Sequence, residues 1–449
     1  MAKSAVYRSL ILGVALFGLG FGAPASGKAA VAPVGQLPTV TVSLTPSAYA
    51  LPVILVKEAG EWEDFGIQVR LKMHANGEEQ LRGIGAGEWE VGIMDPYSAV
   101  KGGNEGDLAI VGISGDYASQ VHLLLPRGTG PPGATELKKW IEGRRVLASI
   151  PSGEHFFMTE RLKREGLDPP ANAWVQENQK NGGAPFFRGE VHGWLTKSPQ
   201  ALTALDQGLV SWRGKSQNRV FLPAFLVAAS SFADTRRTLV IRWLEGYARG
   251  LRLIRKNPEL AAARLGQVYR ENLKLDLRKE LLEEEVRSAF LFEYHEREKP
   301  FRKEGEKPSP VELFARSMTG YREKWEGRKT SEEPSAYILT RILDELSALR
   351  GEAENQFKKT RVALEAAREA GARVDEYLKT LEEARVQLEE ARGRLTVIGA
   401  LSNLERSAEQ AKVTRKRLSD FRRIEIAVGA ILALYYLGYY YLRSKRRKA

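Results

Sequence analysis

Ala86-Gly87-Glu88-Trp89-Glu90-Val91-Gly92-Ile93-Met94-Asp95-Pro96-Tyr97 reads as a Gly-Glu turn, a short apolar strand, then a polar residue and a proline that open a helix. The chain writes this pattern twice. Phe187-Arg188-Gly189-Glu190-Val191-His192-Gly193-Trp194-Leu195 leads into Thr196-Lys197-Ser198-Pro199 in the same order. Upstream of each copy stand a strand, a small-polar loop and a helix: residues 40–44 with Thr45-Pro46-Ser47, and residues 145–150 with Pro151-Ser152-Gly153. Two similar α/β lobes that aim helix N-termini at one place imply a ligand held between them.

Working outward, short β-rich runs alternate with helical patterns from Pro38 to about Gly320, the signature of α/β layers. Strands are expected at 40–44, 67–73, 91–94, 109–113, 121–125, 145–150, 174–176, 191–195 and 219–228. The charged, Pro- and Gly-containing stretch 299–310 reads as a loop. After Pro334 the texture changes to Glu, Lys, Arg, Ala and Leu, with apolar residues at three- and four-residue steps from Leu346 to Ile398. That predicts a long amphipathic helix or coiled coil, which Gly371 could turn into a hairpin. The seam is imperfect, since Arg385 and Arg392 fall on it, so a solvated spacer helix stands beside an oligomerisation seam.

The ends of the chain carry targeting signals. Lys3 and Arg8 precede an apolar run from Leu10 to Phe21 and then Ala23-Pro24-Ala25, which reads as a secretory signal peptide over 1–25, with an uncleaved anchor as the alternative. Residues 26–37 are an Ala/Gly/Pro-rich linker. Residues 424–442 form a second apolar run, crowded with tyrosines at one end and followed by a basic tail over 443–449. This reads as one transmembrane helix with a cytoplasmic C-terminus.

Composition removes several chemistries. The chain has 449 residues, no cysteine and five histidines. Disulfides, cysteine-ligated metals and a thiol nucleophile are therefore excluded, and the histidines show no metal-ligand spacing. The net charge of +12 sits largely beside the C-terminal apolar run, so it points to a membrane rather than to nucleic acid. No Walker loop, Ser/His/Asp ordering or clustered carboxylate pair emerges, so the chain reads as a binder, not an enzyme, with no cofactor and no metal.

The order of features in 38–320 resembles the extracytoplasmic substrate-binding proteins of ABC importers for nitrate, sulfonates and taurine, a group that includes thiamine-pyrimidine-precursor binders. The resemblance runs through Leu51-Pro52, Lys57-Glu58-Ala59-Gly60, Phe65-Gly66-Ile67-Gln68-Val69, Gly87 to Asp95, Arg144-Arg145-Val146, Pro151-Ser152-Gly153, Glu165-Gly166-Leu167, Gly189 to Pro199 and Asn257-Pro258-Glu259. It implies an α/β, two-lobed type II periplasmic-binding-protein fold, here followed by the helical coiled coil and one transmembrane helix. One lobe would comprise 38–125 and 223–330, the other 126–222, with a stalk over 335–421. Two features depart from the family pattern: His192 stands where Asp is usual, and the stalk and anchor are additions.

In this architecture strand C-terminal ends deliver loops and helix N-termini to the cleft. The candidate ligand-binding residues are Thr45, Ser47, Tyr49, Asn76, Gly77, Asp95, Tyr97, Ser152, Gly153, His155, His192, Trp194 and Ser198. For the Ser, Thr, Asp and Asn among them the competing role is ordinary helix capping. For the aromatics it is the core, and for both histidines it is hydrogen-bonded scaffold. Glu78, Glu79, Asp95 and Glu154 complicate an anion pocket: they could meet an amine on a zwitterion or a cation, or simply favour the helix dipole. The expectation is a membrane-anchored solute-binding protein taking a small anion or zwitterion. It would lie on the periplasmic face of the inner membrane and serve an ABC permease or a sensory protein, with homo-oligomerisation through the stalk. The alternative is a ligand-free envelope scaffold built on the same fold.

Overall fold

The architecture is that of a computed structural model describing residues 37–126, 128–129, 137–164, 166, 173–177, 183–212, 220–289, 299–330, 332–369, 374–389, 398 and 401–409. The signal peptide, the apolar run 424–442, the basic tail and Gly371 lie outside these residues. Among the described residues no helix is long and apolar enough to cross a membrane.

The strands are β1 (Thr39–Leu44), β2 (Gln68–Met73), β3 (Val91–Met94), β4 (Leu108–Asp116), β5 (Val121–Leu125), β6 (Val146–Ala148), β7 (Trp174–Gln176), β8 (Gly193–Lys197), β9 (Val210–Trp212) and β10 (Pro223–Ala229). They form two five-stranded sheets, ordered β2-β1-β3-β10-β4 and β7-β6-β8-β5-β9. In each sheet one strand from the other half of the chain runs antiparallel: β10 between β3 and β4, and β5 between β8 and β9. The remaining pairs, β1 with β2 and β3 and β6 with β7 and β8, are parallel. The sheets are topological copies, and the repeated sequence pattern lands on equivalent strands, β3 and β8. The turn glycines match too: Gly87 and Gly189 sit at φ of 69° and 75°, a left-handed conformation that glycine adopts without penalty.

The helices on the first lobe are α1 (Leu51–Glu58), α2 (Gly77–Gly85) and α3 (Pro96–Asn104). The second lobe adds α4 (Leu137–Ile141), α5 (Gly153–Arg164), α6 (Ala184–Phe187) and α7 (Gln200–Asp206). After β10 come α8 (Ser230–Thr235), α9 (Arg237–Lys256), α10 (Pro258–Leu273), α11 (Lys279–Ala289), α12 (Pro310–Glu326), α13 (Pro334–Tyr337), α14 (Thr340–Glu369) and α15 (Asp375–Glu389). The main core is continuous across both lobes, with Val42, Leu44, Trp89, Ile110, Phe156, Phe225, Trp243 and Tyr247 all buried in it.

Three expectations change. The first concerns the lobe boundary. The sequence places residues 121–125 in the first lobe, but all five side chains of β5 are buried in the second sheet, between β8 and β9. The first crossing is therefore the turn Tyr117–Gln120, and the second enters the first lobe at Pro223. The second change concerns the stalk. Helix α14 begins inside the main core, where Ile342 and Leu346 are buried, and the Leu339 amide donates to the Ile110 carbonyl at 3.0 Å. Its far half then shares a separate apolar core with α15 and residues 401–409, built from Leu364, Ala367, Val374, Leu381, Ala384, Leu401, Leu404 and Ala408. Among the described residues, apolar steps over 364–384 pack within the chain as part of a small helical bundle. The third change is α12, a helix where the sequence reading marked only a loop ending at 310.

Candidate functional site

The C-terminal ends of the parallel strands meet where the lobes face each other. Helix α3 starts at Pro96 behind Asp95, and α5 starts at Gly153 behind Ser152. These two N-termini approach closely: a Cβ on Gly153 would stand 3.2 Å from Pro96 Cγ and 3.6 Å from the Tyr117 ring. On the first-lobe side, a Cβ on Gly77 would fall 2.3 Å from Asp95 Oδ2 and 2.1 Å from Ser98 Oγ, so only glycine admits that contact.

An ionic cluster occupies this junction. Lys197, at the end of β8, donates from Nζ to Tyr117 Oη at 2.6 Å and pairs with Glu154 Oε1 at 2.9 Å. The Tyr117 hydroxyl donates to the same carboxylate at 3.1 Å, and the Tyr117 ring stacks on Tyr49 at 6.3 Å. Burial alone would raise the Glu154 carboxyl, but the Lys197 ammonium and local amide and hydroxyl donors outweigh it and hold it below its ordinary range. Burial works against the Lys197 ammonium, yet Glu154 and Asp95 raise its pKa, so it stays charged. Glu177, accepting from Ser149 Oγ at 2.9 Å and Trp194 Nε1 at 3.1 Å, is pushed up by burial. The Lys197 side chain is 39% exposed while that of Glu154 is 8% exposed, so part of the lysine stem borders solvent. One ammonium is thus paired with Glu154 and also feels the charges of Asp95 and Glu177.

A second network closes over the first. Helix α12 crosses the lobe junction. The Ser152 amide donates to Tyr321 Oη at 3.2 Å, and that hydroxyl lies 2.6 Å from His155 Nδ1. Phe156 and Phe314 pack edge to face at 5.7 Å. On the first lobe, Tyr97 donates to Glu326, which Arg322 clamps at 3.0 and 2.9 Å, and Asn104 donates to Thr319 at 3.0 Å. A third contact joins the lobes on another side, where Ser198 Oγ donates to Glu285 of α11 at 2.5 Å.

The sequence-derived candidates fall into three groups. Tyr49, Gly77, Asp95, Tyr97, Ser152, Gly153, His155 and Ser198 lie at the junction or bond to residues that do. Thr45 and Ser47 are half-buried after β1, with the Ser47 hydroxyl directed at the Thr45 carbonyl at 3.4 Å, while Asn76 caps α2 by accepting from the Glu79 amide. His192 and Trp194 lie elsewhere. His192 is exposed at the start of β8, where its Nδ1 accepts from the Arg145 amide at 3.1 Å, and strand starts face away from the cleft. Trp194 is buried in the second lobe's outer core with Leu124, Leu147 and Phe186. Its place in mid-strand pins it there, and it reaches the site only through Glu177.

The anion expectation is also altered. Asp95 Oδ1 takes the Ser98 amide, Ser152 Oγ takes the His155 amide, and Tyr321 takes the Ser152 amide. The chain's own acceptors thus use helix N-terminal donors that would have met an anion. Sequence reading missed Lys197, Tyr117 and Glu177 as a group, and missed Tyr321, Arg322 and Glu326. Lys197 could have been found as the charged residue ending the second repeat's strand. The α12 residues were announced by Ser309-Pro310-Val311-Glu312, a capping box with proline at its first helical position.

No protein-family model matches the chain, and no curated protein does. Solved structures do. The periplasmic aliphatic sulphonate binding protein SsuA from Escherichia coli is similar with a TM-score of 0.54 at 16% identity, over 68% of this chain and 92% of that one. The periplasmic nitrate-binding protein NrtA from Synechocystis PCC 6803 gives 0.51 at 13%, over 70% and 89%. A putative periplasmic sulfonate-binding protein SsuA from Methylobacillus flagellatus KT gives 0.50 at 14%, over 70% and 94%. At these identities the likeness establishes a shared two-lobed binding-protein fold.

Proposed function

We propose that this chain is an extracytoplasmic solute-binding protein that captures a small zwitterion between its lobes. The ammonium of the ligand would face Asp95 and Glu177, and its acidic group would face Lys197. The observation that supports this reading is the mixed-charge cluster at the junction: Asp95 from one lobe and Lys197, Glu154 and Glu177 from the other, with the Lys197 side chain 39% exposed. Groups of opposite sign on opposing lobes attract one another directly, and a zwitterion of matching polarity would add its own differential affinity for the closed state. The structural neighbours, whose names describe sulfonate and nitrate binding, support transport rather than catalysis. The secretory leader and the apolar run 424–442 support a membrane-anchored form serving an ABC permease or a sensory partner. Thermal shift of the full-length chain tests the ligand class. Aminosulfonates or α-amino acids should raise Tm in a concentration-dependent way, while nitrate and simple alkanesulfonates should not. A Tm shift by the anions alone would reverse the charge assignment.

A second reading has its own support. Because Tyr321 holds the Ser152 amide, the chain's own groups bridge the lobes, as suits a scaffold that uses the binding fold only for its shape. Absence of a shift with every zwitterion and anion would favour it.

A further inference from the structure

We propose that helix α12 is a strap that latches the second lobe to the first through Tyr321, and that protonation of His155 releases it. The strap belongs to the first lobe. Arg322 and Glu326 fix it to Tyr97, Thr319 bonds to Asn104, and Phe314 packs against Phe225 at 5.8 Å. Only its inner face, at Phe314, Tyr321 and Trp325, reaches α5 of the second lobe. Separating the lobes therefore strips Tyr321 from Ser152 and His155 while the outer contacts remain in place.

The hydrogen-bond directions make the latch sensitive to protons. Tyr321 Oη accepts the Ser152 N–H, so its own proton is directed at His155 Nδ1, which must be unprotonated to accept it. A proton on Nδ1 would leave the buried Tyr321 O–H without that acceptor. His155 is fully buried, its Nε2 has no hydrogen-bond partner, and the Trp174 and Trp325 rings stand edge-on at 4.6 and 4.8 Å. The groups facing it are Glu154 on its own helix, Tyr321 and Lys324 on the strap, and from β7 only the Trp174 ring.

Burial, reinforced by the Lys324 charge and opposed by Glu154, brings the His155 pKa down to about 4 from 6.5. Once the strap lifts, the imidazole meets water and recovers its ordinary value. The open form then binds the proton more tightly, so acidification favours opening as pH falls from 6.5 towards 4. Linkage sets the shift in the opening equilibrium at roughly 30-fold by pH 5 and roughly 300-fold at its limit. Under the binding reading, this latch is what a ligand must displace to enter, but the latch itself does not depend on that reading.

The chain has no cysteine, so Glu78→Cys and Gln176→Cys, at exposed positions on opposite lobes, would accept a single pair of spin labels. Double electron–electron resonance on the ligand-free full-length chain should give one narrow distance at pH 7.5 and a growing longer component at pH 5. Tyr321→Phe, which keeps the ring against Phe156, should show the longer component already at pH 7.5 and faster hydrogen exchange at the Ser152 amide. A Tyr321→Phe distribution matching the wild type would overturn the strap. A wild-type distribution that does not change between pH 7.5 and 5 would overturn the role of His155. Neither outcome bears on ligand binding, which is read separately by thermal shift.

Discussion

Arg249 and Glu61 show how much depends on single side chains here. The guanidinium makes a forked contact to the carboxylate at 2.7 and 3.3 Å, with both side chains buried between α9 and the turn after α1. Replacing Arg249 with Leu removes the forked guanidinium contact from a buried carboxylate, and should cost about 3–5 kcal/mol in denaturant unfolding. A loss below about 1 kcal/mol would mean the site relaxes to admit water. Residue-level legibility was uneven in a physically explicable way. Gly87 and Gly189 were readable because left-handed turns select glycine, and Asp95 because a residue before Pro at a strand end is a natural cap. His192, a candidate ligand contact with hydrogen-bonded scaffold as its competing role, takes the Arg145 amide, a partner distant in sequence that no local pattern marks. Lys197 went unnoticed because its meaning depends on Glu154, Tyr117 and Asp95, which come from three other places in the chain.

At the scale of elements, α12 rests on its start. Ser309 accepts the Glu312 amide at 3.3 Å while Glu312 accepts the Ser309 amide at 2.8 Å, and Pro310 presets the first turn. Ser309→Ala should cost about 1 kcal/mol of stability. If the helix is the interlobe strap, the substitution should also raise exchange at the Ser152 amide; unchanged exchange there would separate the cap from the latch. The C-terminal helices make a parallel point. Their three- and four-residue apolar steps were legible as amphipathic helix, but periodicity does not say which chain supplies the partner face. Here α15 and residues 401–409 supply it, with the Thr360 hydroxyl also bonding the Leu401 carbonyl at 3.1 Å. Leu381→Asp should therefore lower helical content without lowering the melting temperature of the two-lobed body. A fall in both would show that the bundle and the body unfold together.

Over the whole molecule, the duplicated sequence pattern became duplicated topology, since equivalent strands carry equivalent turns and helix starts. The crossing points were less legible, because β5 follows β4 so closely that only its pairing with β8 and β9 reveals which sheet it joins. That exchange of one strand between sheets places Tyr117 in the turn linking the lobes and brings Asp95 opposite Lys197. Isothermal titration of α-amino acids and aminosulfonates, comparing wild type with Asp95→Asn, tests the proposed use of that junction most directly. Asparagine keeps the capping acceptor of α3, so the fold should persist while one negative charge is lost. The binding account predicts saturable one-site binding by the wild type, weakened roughly ten- to hundredfold in Asp95→Asn as a charge-assisted contact is lost. Unchanged or tighter binding in Asp95→Asn, or saturable binding of nitrate alone, would contradict it.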